Sequence, residues 1–169
     1  MDALWLAFCR DRSDFFLYGV VPSITVTLAY LSGSLLCYVL DRLPRLRKHK
    51  IQSKVHDGRA WRECLRYVFF HKLTSEIPLT FAGFPIFVAI GVSKDLPLPS
   101  LGAVLLTLGA AFVIEDAWHY FAHRALHHKW AYAKIHHIHH KYTTPLGAAA
   151  DYANHADTIL RVLGTLRGA

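Results

Sequence analysis

The sequence predicts an all-α integral membrane protein with about three hydrophobic helical segments and a cytosolic, histidine-rich helical cap. Three observations carry that expectation. Residues 15–40 contain no charged side chain. Residues 77–92 and 100–114 are again apolar. Nine of the 12 histidines fall between residues 119 and 155.

The bulk composition is consistent with this. A length of 169 residues allows one domain. At 53% hydrophobic residues the chain has too much apolar surface to stay disordered. Ten Gly and seven Pro exclude a collagen-like or linker composition. Three cysteines (Cys9, Cys37, Cys64), odd in number and without a Cys-x-x-Cys pair, argue against a disulfide-stapled secreted fold.

Taken in order, residues 1–14 carry Asp2, Arg10, Asp11, Arg12 and Asp14 and lack the basic start and cleavage site of a signal peptide. They read as a lumenal tail, and 15–40 as a retained membrane anchor. At about 1.5 Å per residue that stretch crosses a hydrocarbon core of about 30 Å. Pro22 is expected to kink it or to end a short lead-in helix.

Residues 41–66 form a basic cytosolic loop holding Arg42, Arg45, Arg47, Lys48, Lys50, Lys54, Arg59, Arg62 and Arg66. A basic segment directly after an apolar one suits anionic lipid, so no nucleic-acid partner is expected. Trp61, Leu65 and Val68 recur at helical spacing, which predicts an interfacial helix. Residues 67–114 read as a helical hairpin turning at 93–99, where Lys94, Asp95, Pro97 and Pro99 cluster. The positive loop marks the cytosolic side. By parity the histidine-box region, 115–169, lies there too.

Position matters more than number among the histidines. Glu115, His119, His123 and His127 are each four apart, so a helix lines them along one face. His136, His139 and His140 are related by three and four and share another face. His128 and His137 fall off these rows. Two such stripes facing each other make a nitrogen-rich pocket suited to iron, zinc, copper or nickel. A structural zinc site needs four ligands, usually with Cys; five or six histidines suit two metals. Glu115 and Asp116 are available as further ligands or as acceptors for imidazole N–H groups. A storage or sensing tract would be a compositional repeat, whereas this segment keeps aromatic and apolar residues between its histidines.

His123-Arg-Ala-Leu-His127 followed by His136-His-Ile-His139-His140 resembles the fatty acid hydroxylase (sterol desaturase) superfamily. Glu115-Asp116-Ala-Trp118-His119 and the run Thr144-Pro-Leu-Gly-Ala-Ala-Ala-Asp151-Tyr152 look most like its C4-methylsterol monooxygenases. The resemblance implies a multi-pass endoplasmic-reticulum enzyme with a non-haem di-iron centre on the cytosolic side. It also implies O2 as co-substrate and electrons from NAD(P)H through cytochrome b5 or its reductase. The implied reaction is stepwise oxidation of a sterol C4 methyl group to the carboxylate. Membrane lipid and other sterol C4-demethylation enzymes are the implied surroundings.

Carried onto this chain, the metal ligands are His123, His127, His136, His139 and His140. His119, Glu115, Asp116 and His155 are additional or supporting residues. Family members carry a third His-x-x-His-His box, which this sequence lacks up to Ala169. The family's Glu-Tyr-Ala-His-Pro run stands here as Asp151-Tyr152-Ala153-Asn154-His155. An incomplete chain is expected, binding metal weakly or at one site. The same boxes also fit a fatty acid or sphingoid hydroxylase or a C5 sterol desaturase. A catalytically inactive membrane scaffold is the reading outside enzymes.

Overall fold

The computed structural model describes residues 2–52, 57–144 and 146–165. Lys54 of the basic cluster and the end of the 115–169 region lie outside the described residues. The described residues form helices and connecting turns, with no strand among them.

Helix α1 spans Asp2–Cys9. A π-helical turn, Phe16–Val20, leads into α2, Val21–Arg42. Helix α3 (Gly58–His71), a second π turn (Lys72–Glu76) and α4 (Ile77–Ala89) follow one another without a break. Helix α5 covers Leu101–Leu126, α6 Lys129–Lys134 and α7 His155–Thr165. Two 3-10 turns, His136–Lys141 and Gly147–Asp151, complete the chain.

Each π turn stands just before a proline at the second position of the next helix, Pro22 in α2 and Pro78 in α4. Proline has no N–H for the carbonyl four residues back and crowds it; a widened turn accommodates the mismatch. The helix therefore continues through Pro22. Helix starts are capped where the sequence allows. Asp57 accepts from the Ala60 N–H at 2.8 Å, and Ser100 from the Ala103 N–H at 3.2 Å.

Two helical runs are long and apolar enough to cross a membrane, Phe16–Arg42 and Leu101–Leu126. Only 6% and 0% of their apolar windows are buried within the protein. Among the described residues these helices leave most of their apolar surface exposed, as spans fit for a bilayer do. The second expected segment, 77–92, is shorter as a helix: α4 has 13 residues. Helix α5 also passes through residue 114 without interruption, so the third apolar stretch and the first histidine row belong to one rod.

The helical stripe of residues 61–68 faces protein rather than a membrane surface. Cys64 and Val68 are buried against Leu146, Ala148 and Tyr152, with Trp61 and Leu65 packed beside them. This core clamps the 146–153 segment between α2 and α3. The Tyr30 hydroxyl donates to the Ala148 carbonyl at 2.6 Å, and the Tyr67 hydroxyl to the Ala153 carbonyl at 3.0 Å. The rings of Tyr67 and Tyr152 stack at 4.0 Å.

Gly147 is the closest point of the clamp. A Cβ there would lie 2.5 Å from Cys37 Cβ on α2. Gly147→Ala is expected to destabilise the fold by about 1–3 kcal/mol through overpacking. Thermal unfolding in detergent measures it; an unchanged midpoint would show that α2 is free to retreat.

At the other end, the N-terminal segment meets the turn between α4 and α5. The Trp5 indole donates to the Lys94 carbonyl at 2.8 Å, and Lys94 pairs with Asp14 at 3.1 Å. Helix α5 packs on α7, with the Trp118 indole donating to the Leu160 carbonyl at 3.0 Å. This packing brings the C-terminal helix over the histidines.

Candidate metal centre

Helix α5 carries His123 one turn before its C-terminal cap, His127. The chain turns through α6 and returns in the 3-10 turn that carries His136, His139 and His140. The returning histidines are thus on a 3-10 turn, not an α-helical stripe. The ring nitrogens of His123, His127, His136 and His140 all lie within 4.8 Å of one another. Nε2 of His127 is 3.0 Å from Nε2 of His123; Nε2 of His140 is 3.2 Å from that of His127 and 3.1 Å from that of His136.

This geometry fits a metal ion. Four nitrogens each about 2.0–2.1 Å from one ion stand about 3.3 Å apart in tetrahedral array. Without an ion the arrangement is poorly satisfied. A neutral imidazole has a single N–H, and His136 uses its own on Asp157: Nδ1 to Oδ2 is 2.7 Å, with both residues buried. Its Nε2 therefore presents a lone pair to the other rings.

Burial pushes the imidazoles of His136, His139 and His140 below the ordinary histidine value. The Asp157 carboxylate works in the opposite direction on all three. Neutral rings are the ligating form.

The remaining sequence candidates are spread around this cluster. His139 sits 5.2 Å from His136 by ring centroid, and its Nδ1 is shielded from solvent. It adjoins the cluster without joining the four. His119 stacks on His123 at 5.7 Å. Glu115 and His119 line a neighbouring cavity. Asp116 is exposed. His155 lies elsewhere, stacked on His71 at 5.0 Å and hydrogen-bonded to Ser75. His128 and His137 are exposed.

Sequence reasoning missed Asp157, Lys72 and Arg161. Lys72 is buried between Glu76 and Asp151, 2.8 Å from the latter. Arg161 faces Asp151 at 3.7 Å and Asp157 at 3.4 Å. A line of alternating charge thus runs from the second π turn to the ring of His136. The local signals were two i,i+4 pairs, Lys72 with Glu76 and Asp157 with Arg161.

Asp157 fixes which nitrogen of His136 faces the cluster. Asp157→Leu is expected to lower metal affinity about 10- to 100-fold. Asp157→Asn keeps an acceptor and should lose less. Cobalt(II) titration of the purified chain compares them; equal affinity of wild type and the Leu variant would refute the role.

Fold and site together define a helical protein with spans fit for a bilayer and a histidine cluster fit for a metal ion. Its histidine-bearing region matches the family model for fatty acid hydroxylases over residues 108–167. Nearly the whole chain is similar to proteins named for methylsterol oxidation. It is 36% identical to the C-4 methylsterol oxidase of Candida albicans, over 91% of this chain and 50% of that protein. It is 32% identical to methylsterol monooxygenase erg25B of Aspergillus fumigatus (98% and 57%) and 32% identical to methylsterol monooxygenase 2-2 of Arabidopsis thaliana (99% and 63%). The chain therefore spans about half to three-fifths of the length of these relatives. No solved structure matches it.

Proposed function

We propose that this chain is the anchor and two-box portion of an iron-dependent C4-methylsterol monooxygenase of the endoplasmic-reticulum membrane. Its homologues are oxidoreductases named for methylsterol oxidation. The observation that carries the reading is the convergence of four imidazoles from the two boxes on one point. Bound iron, as the di-iron centre the family resemblance implies, would supply the redox chemistry with O2 that side-chain acid–base groups lack for an unactivated C–H bond. NAD(P)H, through cytochrome b5 or its reductase, is the proposed electron source.

The chain's own residues hold and orient. His123, His127, His136 and His140 would bind the metal, with His139 beside them. Asp157 sets the tautomer of His136. The buried Lys72 and Arg161 fix the carboxylates that border α7. The adjoining cavity, reached past His119, would receive an apolar substrate supplied by the membrane. In this reading the boxes and the basic loop face the cytosol, as the excess of Lys and Arg after the first apolar run supports.

The test is complementation of a yeast strain lacking its C4-methylsterol oxidase by the native gene, with sterols and protein-bound iron measured in parallel. Growth without added ergosterol, lost with His140→Ala, supports the reading. Accumulation of C4-methylated sterols despite an iron-loaded protein would overturn it. In that case a shifted fatty acid or sphingoid profile would point to a hydroxylase of the same family.

A further inference from the structure

A cavity of about 560 Å³ lies between the start of α2, the α4 rod, α5 and α7. That is a size ordinary for small-molecule sites. Pro22, Val26, Leu79, Phe87 and Val92 give it apolar walls. Most of its charged lining is already engaged. Lys72 binds Glu76 and Asp151, and Arg161 faces Asp151 and Asp157. Glu115 is the exception. Its Oε2 is shielded from solvent and has no hydrogen-bond partner among the described residues. One turn further along α5, His119 lines the same cavity and stacks on His123 of the imidazole cluster.

We propose that Glu115 accepts a hydrogen bond from the hydroxyl of an otherwise apolar, membrane-derived molecule, and so selects alcohols and seats the hydroxyl-bearing carbon toward His119 and His123. This deepens the function proposed above and rests on it for the meaning of the seat, but not for the binding itself. The charge of the lining weighs against an anion. Glu76, Glu115 and Asp151 line the cavity against Lys72 and Arg161, so a fatty-acid carboxylate meets an excess of negative charge. An ammonium would be drawn by that same excess of charge, so competition with octadecylamine decides between it and a hydroxyl. A single hydroxyl matches a single open oxygen, and an unmade bond to a buried carboxylate is costly.

The experiment uses the 169-residue chain in phosphatidylcholine nanodiscs. Energy transfer from tryptophan to dehydroergosterol, a fluorescent sterol, reports occupancy. Dehydroergosterol should bind about tenfold more tightly than its 3-keto analogue, the size expected for one hydrogen bond to a charged acceptor. Glu115→Leu should bring the alcohol down to the ketone's affinity while cobalt(II) content stays at the wild-type level, which also certifies the fold. Equal binding of alcohol and ketone to wild type would overturn the proposal. So would a preference that survives Glu115→Leu, or a loss of metal in that variant, which would assign Glu115 to the cluster instead.

Competition separates this inference from the sterol reading. If 1-octadecanol binds in preference to stearate and octadecylamine while dehydroergosterol does not bind, Glu115 keeps its role and the sterol reading fails. If complementation succeeds but no hydroxyl preference exists, the sterol reading holds and the role of Glu115 fails.

Discussion

His140→Ala is expected to abolish stoichiometric metal binding. His140 contacts both halves of the cluster, with Nε2 3.2 Å from that of His127 and 3.1 Å from that of His136. Removing it takes away the ring that bridges α5 and the returning turn. Changes in residues that merely support a ligand already cost about 10- to 100-fold in affinity; loss of a ligand itself should exceed about 100-fold. His137 is exposed one turn-position away, and His137→Ala should stay within about twofold of wild type, as surface changes do. Iron and cobalt content of the purified variants, measured by mass spectrometry, decides between them. Equal losses in both would mean that the histidines act as a diffuse tract and that the converged geometry is not the binding site.

Lys72→Met is expected to produce the largest loss of stability among single changes away from the histidines. Lys72 is 5% exposed and holds two partly buried carboxylates, Glu76 and Asp151. Methionine fills the same space but leaves Glu76 without a cation and Asp151 with only the longer contact to Arg161 at 3.7 Å. Breaking a buried ion pair in this way costs about 3–5 kcal/mol. At about 2–4 °C per kcal/mol for a chain of this size, the unfolding midpoint should fall by roughly 10 °C. Adding Glu76→Gln and Asp151→Asn to Lys72→Met should recover most of the loss, because it removes the uncompensated charge. A single variant as stable as wild type would show that solvent reaches these carboxylates.

The features legible in the sequence were those that repeat. The uncharged run before Leu40 and the four-residue spacing of Glu115, His119, His123 and His127 are periodic, and period is what a helix converts into a face. Both reappear in α2 and α5. The limit of that logic shows at the second box. Residues 136, 139 and 140 share a face on an α-helix, but the turn is 3-10, and the four-nitrogen cluster takes His136 and His140 while His139 stands beside it. Short connections after a helix end take their form from tertiary contacts, here Asp157 pulling on His136, and no local pattern encodes such a pull.

Asp157 illustrates the other loss. It is 21 residues from its partner, so only the packing of α7 on α5 brings them together. The stripe Trp61, Leu65 and Val68 was legible as a helix but not as to its destination. An apolar stripe looks the same whether it meets lipid or, as here, Tyr152 and Leu146. The cavity is harder still, because it is made by residues from four separate stretches of chain.

The π turn at Lys72–Glu76 has a consequence for how the chain tolerates insertion and deletion. It is one residue wider than an α-helical turn, and each residue of an α-helix advances it by about 100°. Removing any one residue there would return the turn to α-helical width and set Pro78 in an α-helical ladder without its widened turn. It would also rotate α3 and α4 against each other by about that angle. The α3 face that grips the 146–152 segment and the α4 face that lines the cavity would then be out of phase, and one would have to turn away from its partner. The extra residue works like an offset between two gears on one shaft: a single-codon deletion would desynchronise the scaffold from the site.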